Sequence, residues 1–138
     1  MPPFTSESNV RLRFQLNDAL LVPADLIAAC IGDAHAELER LLDPGVDVDP
    51  PEVSLISGET LLACAYLFRA LASKDAFAQR NITIGGQRIE DGDRFRALTA
   101  VAEISEKQAW FLLAPYLVAQ PVRAVAETTP SVPVMGEN

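Results

Sequence analysis

The sequence predicts a mainly α-helical fold, a small bundle of about three to four helices with a short β-hairpin between the second and third main helices. Long stretches repeat apolar residues at helical spacing and are separated by Pro- and Gly-containing breaks. One of these, "LLACAYLFRALA", is apolar almost all round, as a central helix should be. Between the second and third helical patterns lies "NITIGGQRIEDGDR", where two β-prone runs flank a Gly-Gly pair.

Taken in order, residues 1–9 read as a polar, mobile leader. In "VRLRFQL", 10–16, Val10, Leu12, Phe14 and Leu16 alternate with Arg11, Arg13 and Gln15. That is strand periodicity, or an extended arm docked on its apolar side. The first helix is expected over 23–42, with Pro23 at its first position and Asp25 in its first turn. Ile27, Ile31, Ala34, Leu38, Leu41 and Leu42 make its stripe, and Asp43-Pro44-Gly45 stops it. An acidic, Pro-containing loop follows. Ser57 is the expected N-cap of the second helix, 58–79, whose core residues include Leu61, Cys64, Ala65, Phe68, Leu71 and Ala72. Gly85-Gly86 then suits a two-residue hairpin loop within 81–91, Asp91-Gly92-Asp93 a turn, and Asp93 the cap of a third helix at 94–118.

The third helix sets Phe95, Leu98, Ala102, Ala109, Leu112 and Tyr116 on one side, with Arg96, Thr99, Glu103, Glu106 and Lys107 opposite. Trp110 falls by phase on that polar face, which marks it for an interface. Pro115 should kink the end. Residues 10–118 thus form one helical domain, and the Pro-, Thr- and Ser-containing segment 119–138 reads as a flexible tail that orders on a partner.

The chain has 138 residues, enough for one domain with its own core, and a net charge of −8. With 11 basic residues against 19 acidic, it is poorly suited to tight binding of a phosphate backbone, which draws its affinity from Lys and Arg. Charge is uneven: residues 18–59 hold ten acids and one base, whereas 69–107 hold seven bases and six acids. The first reading is a solvated acidic surface. The sharper one is a head-to-tail contact between unlike faces of identical subunits. Cys30 and Cys64 each sit in an apolar helical pattern without a CxxC spacing and read as buried, reduced thiols. "MPPFTSESNV" lacks the basic and apolar regions of a signal peptide, and the longest apolar run is short of a membrane span. A soluble protein made in the cytoplasm is expected.

Candidate chemistry is sparse. His35 is the sole histidine, so a His pair for zinc is unsupported; beside Glu39 it reads as a flanking residue. Glu37/Glu39 and Asp47/Asp49 are two apart, a spacing that does not share a helix face and in a loop binds a hard cation weakly at most. Ser57-Gly58-Glu59 is not a nucleophile elbow, and "IGGQRIEDGD" lacks phosphate-loop spacing. No catalytic, cofactor or metal residues are assigned, and no enzyme activity is expected. The residues assigned to a subunit or partner interface are Ile82, Ile84, Gly85, Gly86, Arg88, Arg94, Arg96 and Trp110. Asp47 and Asp49 in the acidic loop of the next subunit are expected to face the arginine cluster.

The order "RFQL", "VPADLIAACIGDAHAELERLL", "GETLLACAYLFRALA", an Ile/Thr/Gly hairpin and a last long helix resembles the small head–tail connector (neck, or head-completion) subunits of tailed bacteriophages and prophages. The resemblance covers about residues 10–118 and lies in patterns rather than signature residues. It implies a virion assembly protein of the neck, made in the bacterial cytoplasm, that forms a ring, usually twelve-fold, at the portal vertex. Such a ring extends the DNA channel and links the portal protein to a tail or stopper protein, with DNA as passing cargo and no membrane. The hairpin here is short and the loop before the second helix unusually acidic, so the portal-proximal and tail-proximal positions both stay open. A reading from another class is a small helical adaptor or regulatory protein binding one peptide or protein partner.

Overall fold

The structure, a computed structural model, describes the backbone of residues 1–79 and 85–118 and the side chains of 1–76 and 93–118. It is mainly helical, with four α-helices and no strand among the described residues: α1 (Glu7–Phe14), α2 (Ala24–Leu41), α3 (Val53–Gln79) and α4 (Gly85–Leu113), followed by a 3-10 turn at Ala114–Tyr116. The central helix is α3, against which the other three pack. At 27 residues it is about 40 Å long. It is long and apolar enough to cross a membrane, yet most of its apolar window is buried by its neighbours.

Residues 10–14, expected as strand or extended arm, are helical. Ser6 is extended and its Oγ accepts from the Asn9 amide at 3.3 Å, which caps α1. Gln15 closes the helix in the left-handed region at φ 56°. The apolar alternation fails because helical spacing selects Val10 and Phe14, which turn inward, and leaves Leu12 77% exposed. Arg11 holds the α1–α2 connection by donating to the carbonyls of Leu16 and Val22, both at 2.9 Å. The leader expected to be mobile has defined contacts too: Thr5 is buried, and Phe4 packs edge-on against His35.

In α2 the inward residues are Ile27, Cys30, Ile31, Ala34, His35 and Leu38, which contains most of the expected stripe. Pro23 stands one position earlier than expected, at the N-cap. The start of α3 is likewise earlier, at Val53, so Ser57 lies inside the helix. The early start buries Leu55, which joins Leu38 and Leu113 in a second core cluster under the acidic loop. Full burial of each of these side chains contributes about 1.5–3 kcal/mol.

The hairpin expected at 81–91 is not found among the described residues. Gly85, Gly86, Arg88 and Ile89 belong to α4, and so does the expected turn Asp91-Gly92-Asp93. Ile82 and Ile84 lie outside the described residues. A lone two-stranded ribbon is marginal in water, whereas a helix satisfies its backbone within one segment. Gln87, Arg88 and Glu90 are good helix formers, and the two glycines fall in the first turn. Pairing with α3 supplies the rest. The two helices run antiparallel: Gly58 meets Leu113, Arg69 bridges Glu106 at 2.6 Å, and Asp75 holds Arg94 at 2.7 Å. Pro115 ends α4 rather than kinking it, and the chain after it returns to α2, where Asp43 N–H donates to the Tyr116 carbonyl and Val118 N–H to that of Leu41, both at 2.9 Å. The tail 119–138 lies outside the described residues.

Candidate functional site

Helix α4 has two apolar faces. The inner one buries Ala102, Ala109 and Leu113 on α3, with Leu98 and Leu112 half-buried beside them. The outer one runs Ala97, Val101, Ile104, Gln108, Phe111, a spacing of four, three, four and three that keeps residues on one seam of a helix. Ile104 is 56% and Phe111 80% exposed. Between this seam and α1 lies a groove of about 380 Å³ lined by Arg13, Leu61, Lys107, Gln108, Phe111 and Leu112. A second groove, of about 390 Å³, is lined by Asn9, Leu12, Arg13, Ile56, Ser57 and Thr60. Arg13 and Lys107 therefore rim an apolar surface, and neither is ion-paired among the described residues. Sequence reading missed this face. Its signal was the second stripe in α4, hidden because Lys107 and Glu103 made that side look solvated.

The other concentration of polar groups is buried. Glu59 is fully buried in α3; its Oε1 accepts from the amides of Phe4 at 2.6 Å and Thr5 at 2.8 Å, and its Oε2 faces His35 Nδ1 at 2.5 Å. Beside it Thr60 Oγ1 donates to the Ile56 carbonyl at 2.7 Å and lies 2.6 Å from Thr5 Oγ1. His35, expected as a flanking residue beside Glu39, is instead buried, and its partner is Glu59, 24 residues further along the chain on α3. His35 Nε2 is buried without a hydrogen-bond partner. Taken together, this cluster fastens the chain start onto α2 and α3. Its polar side chains are buried, and it reads as a fastening of the chain start.

Among the described residues, those singled out from the sequence do not converge on one place. Arg94 is engaged with Asp75, and Arg96 lies 3.6 Å from Asp93 on the surface. Asp47 and Asp49 are exposed in the loop before α3, where Asp47 Oδ1 accepts from the Asp49 amide at 3.1 Å. Trp110 is half-buried: its ring packs on both core clusters, and Nε1 donates to Glu106 Oε2 at 3.2 Å. Gly85, Gly86 and Arg88 are placed in α4 by their backbone alone. Burial pushes the Cys30 thiol up to about 11, with Asp33 adding to it. Burial likewise pushes Cys64 up to about 12, against the opposing pull of Arg13 and with a smaller push from Cys30. Both are free and buried, hence poor nucleophiles at neutral pH. Among the described residues no three His, Cys, Asp or Glu side chains gather as metal ligands would. No family model, curated protein or solved structure matches the chain.

Proposed function

We propose that this chain is a structural assembly subunit of the head–tail connector type, which joins copies of itself into a ring at the portal vertex of a tailed phage or prophage particle. The observation that carries the reading is the outward seam of α4. A monomer has no use for Val101, Ile104 and Phe111 lined up in water, and apolar faces rimmed by charge mark contacts between proteins. Two of the patterns on which the resemblance rests form α2 and the centre of α3, the frame on which the seam is mounted, whereas its hairpin is not found among the described residues. The excess of acid over base suits a channel that lets duplex DNA slide, because like charge repels phosphate. In this role the protein needs no cofactor and performs no chemistry; its partners are further copies, the portal protein and a tail or stopper protein.

The rival reading, a small adaptor that takes one partner helix in the α1–α4 groove, uses the same surface. Sedimentation velocity from micromolar to millimolar concentration separates the two. A connector subunit gives a species of several copies whose proportion rises with concentration. A chain that stays monomeric throughout excludes self-assembly under its own affinity and leaves the adaptor reading.

A further inference from the structure

We infer that the outward seam of α4 receives the outward face of α2 from a second copy of the chain, in a head-to-tail contact with Lys107 and Arg13 set against Asp33 and Glu39. This rests on the subunit reading above and names the two surfaces that meet.

The argument starts with α2. With Ile27, Ile31, Ala34 and Leu38 turned to the core, its solvent face carries Asp25, Ala29, Gly32, Ala36 and Glu39 at the same spacing of four, three, four and three. The middle of that face is made of small residues. Gly32 has no role inside the subunit: a Cβ built there meets nothing within 4 Å. A glycine inside a helix costs roughly 1 kcal/mol relative to Ala. At an exposed site with open space around it, that cost has a use if another backbone must come close. The α4 seam has the converse form, with Ile104 and Phe111 protruding seven residues, or about 10.5 Å, apart. Ala29 and Ala36 are separated by the same interval. Large side chains over small ones at matched intervals let two helices approach at the short end of the ~8–10 Å range of packed pairs.

Charge is compatible with this occupant. The α4 seam has Lys107 on one flank, with Glu103 one turn before it, and Arg13 across the groove on α1. The α2 face has an acid on each flank, Asp33 and Glu39, of which Glu39 lies 4.0 Å from the Met1 ammonium, while the nearby Arg40 is tied to Glu37 at 2.6 Å. An α4-to-α4 contact between copies would instead bring like flanks together. Because donor and acceptor faces are different patches, each copy offers both and uses both, the arrangement that closes into a ring.

The experiment uses the full chain and reads assembly by sedimentation, with helix content checked by circular dichroism. Ile104→Glu and Phe111→Glu alter exposed positions, so they are expected to fold and to weaken association more than roughly tenfold, about 1.4 kcal/mol. Lys107→Glu should weaken it less, and Asp33→Lys in the same chain should restore it. A bismaleimide added to a mixture of Ala29→Cys and Gln108→Cys chains should join the two kinds to each other. Wild-type assembly unaffected by these changes overturns the face assignment and leaves the subunit reading standing, and predominant joining of Gln108→Cys chains to themselves does the same. A folded wild type that never leaves the monomer overturns the reading on which the inference rests.

Discussion

Glu59→Ala is the substitution with the largest effect expected from a single side chain. Glu59 is fully buried and accepts from three groups: the amides of Phe4 and Thr5 at 2.6 and 2.8 Å, and His35 Nδ1 at 2.5 Å. Truncation leaves these donors without a partner. Each buried orphan costs about 1–3 kcal/mol. A loss near 4 kcal/mol is therefore expected. It is a large part of the roughly 5–15 kcal/mol that holds a domain folded and corresponds to a fall in Tm of roughly 10–15 °C. Glu59→Gln should be milder. Its amide oxygen can still serve Phe4 and Thr5, but its NH2 group then faces His35 Nδ1 and calls for the tautomer with Nε2 protonated. That nitrogen is buried with no acceptor beside it. Urea denaturation measures the loss, and amide exchange locates it, since Phe4 and Thr5 should lose protection in both variants before the rest of the bundle. A Glu59→Ala chain within about 1 kcal/mol of wild type, with Phe4 and Thr5 still protected, would show that Glu59 does not fasten the chain start.

Two glycines should respond in opposite ways. Gly58→Ala puts a Cβ 2.5 Å from Leu113 Cγ at a fully buried contact and should destabilise by about 1–3 kcal/mol, whereas Gly32→Ala should raise Tm in the monomer while weakening assembly. Gly92→Ala tests the helical assignment of the stretch once read as a turn: inside α4 it should stabilise by up to about 1 kcal/mol, and a loss of stability would argue for a turn. The raised thiols of Cys30 and Cys64 predict a stability that is complete below pH 9 and falls as pH rises toward 11–12, because the unfolded chain ionises its thiols first; Cys30→Ala with Cys64→Ala should flatten that decline in alkaline urea titrations.

Much of the bundle could be read from spacing alone. The stripe Ile27, Ile31, Ala34, Leu38 and the all-round apolar centre of α3 are properties of consecutive residues, and they landed where expected. The errors arose where short signals compete. In 10–16 the alternation of four apolar residues reads as strand, yet the Ser6 cap and the pair Val10/Phe14 set the local structure. In 81–91 a Gly-Gly pair between isoleucines reads as a turn, and nothing local reveals that the last helix starts at Gly85 and packs along α3. The buried His35–Glu59 pair was out of reach for another reason: its members are 24 residues apart and are brought together only by the packing of α2 on α3. The α4 seam was legible in principle, since Val101, Ile104 and Phe111 keep strict spacing, but a helix with two apolar faces is ambiguous until one knows which face its own core takes.

Electron microscopy of the wild-type protein, concentrated until sedimentation shows its largest species, tests the central claim most directly. The expected images are closed rings of one size, with a central opening wide enough for duplex DNA, which vanish in the Phe111→Glu variant. Particles without an opening, or wild-type protein that stays as single compact subunits under every condition in which it remains folded, would contradict the claim.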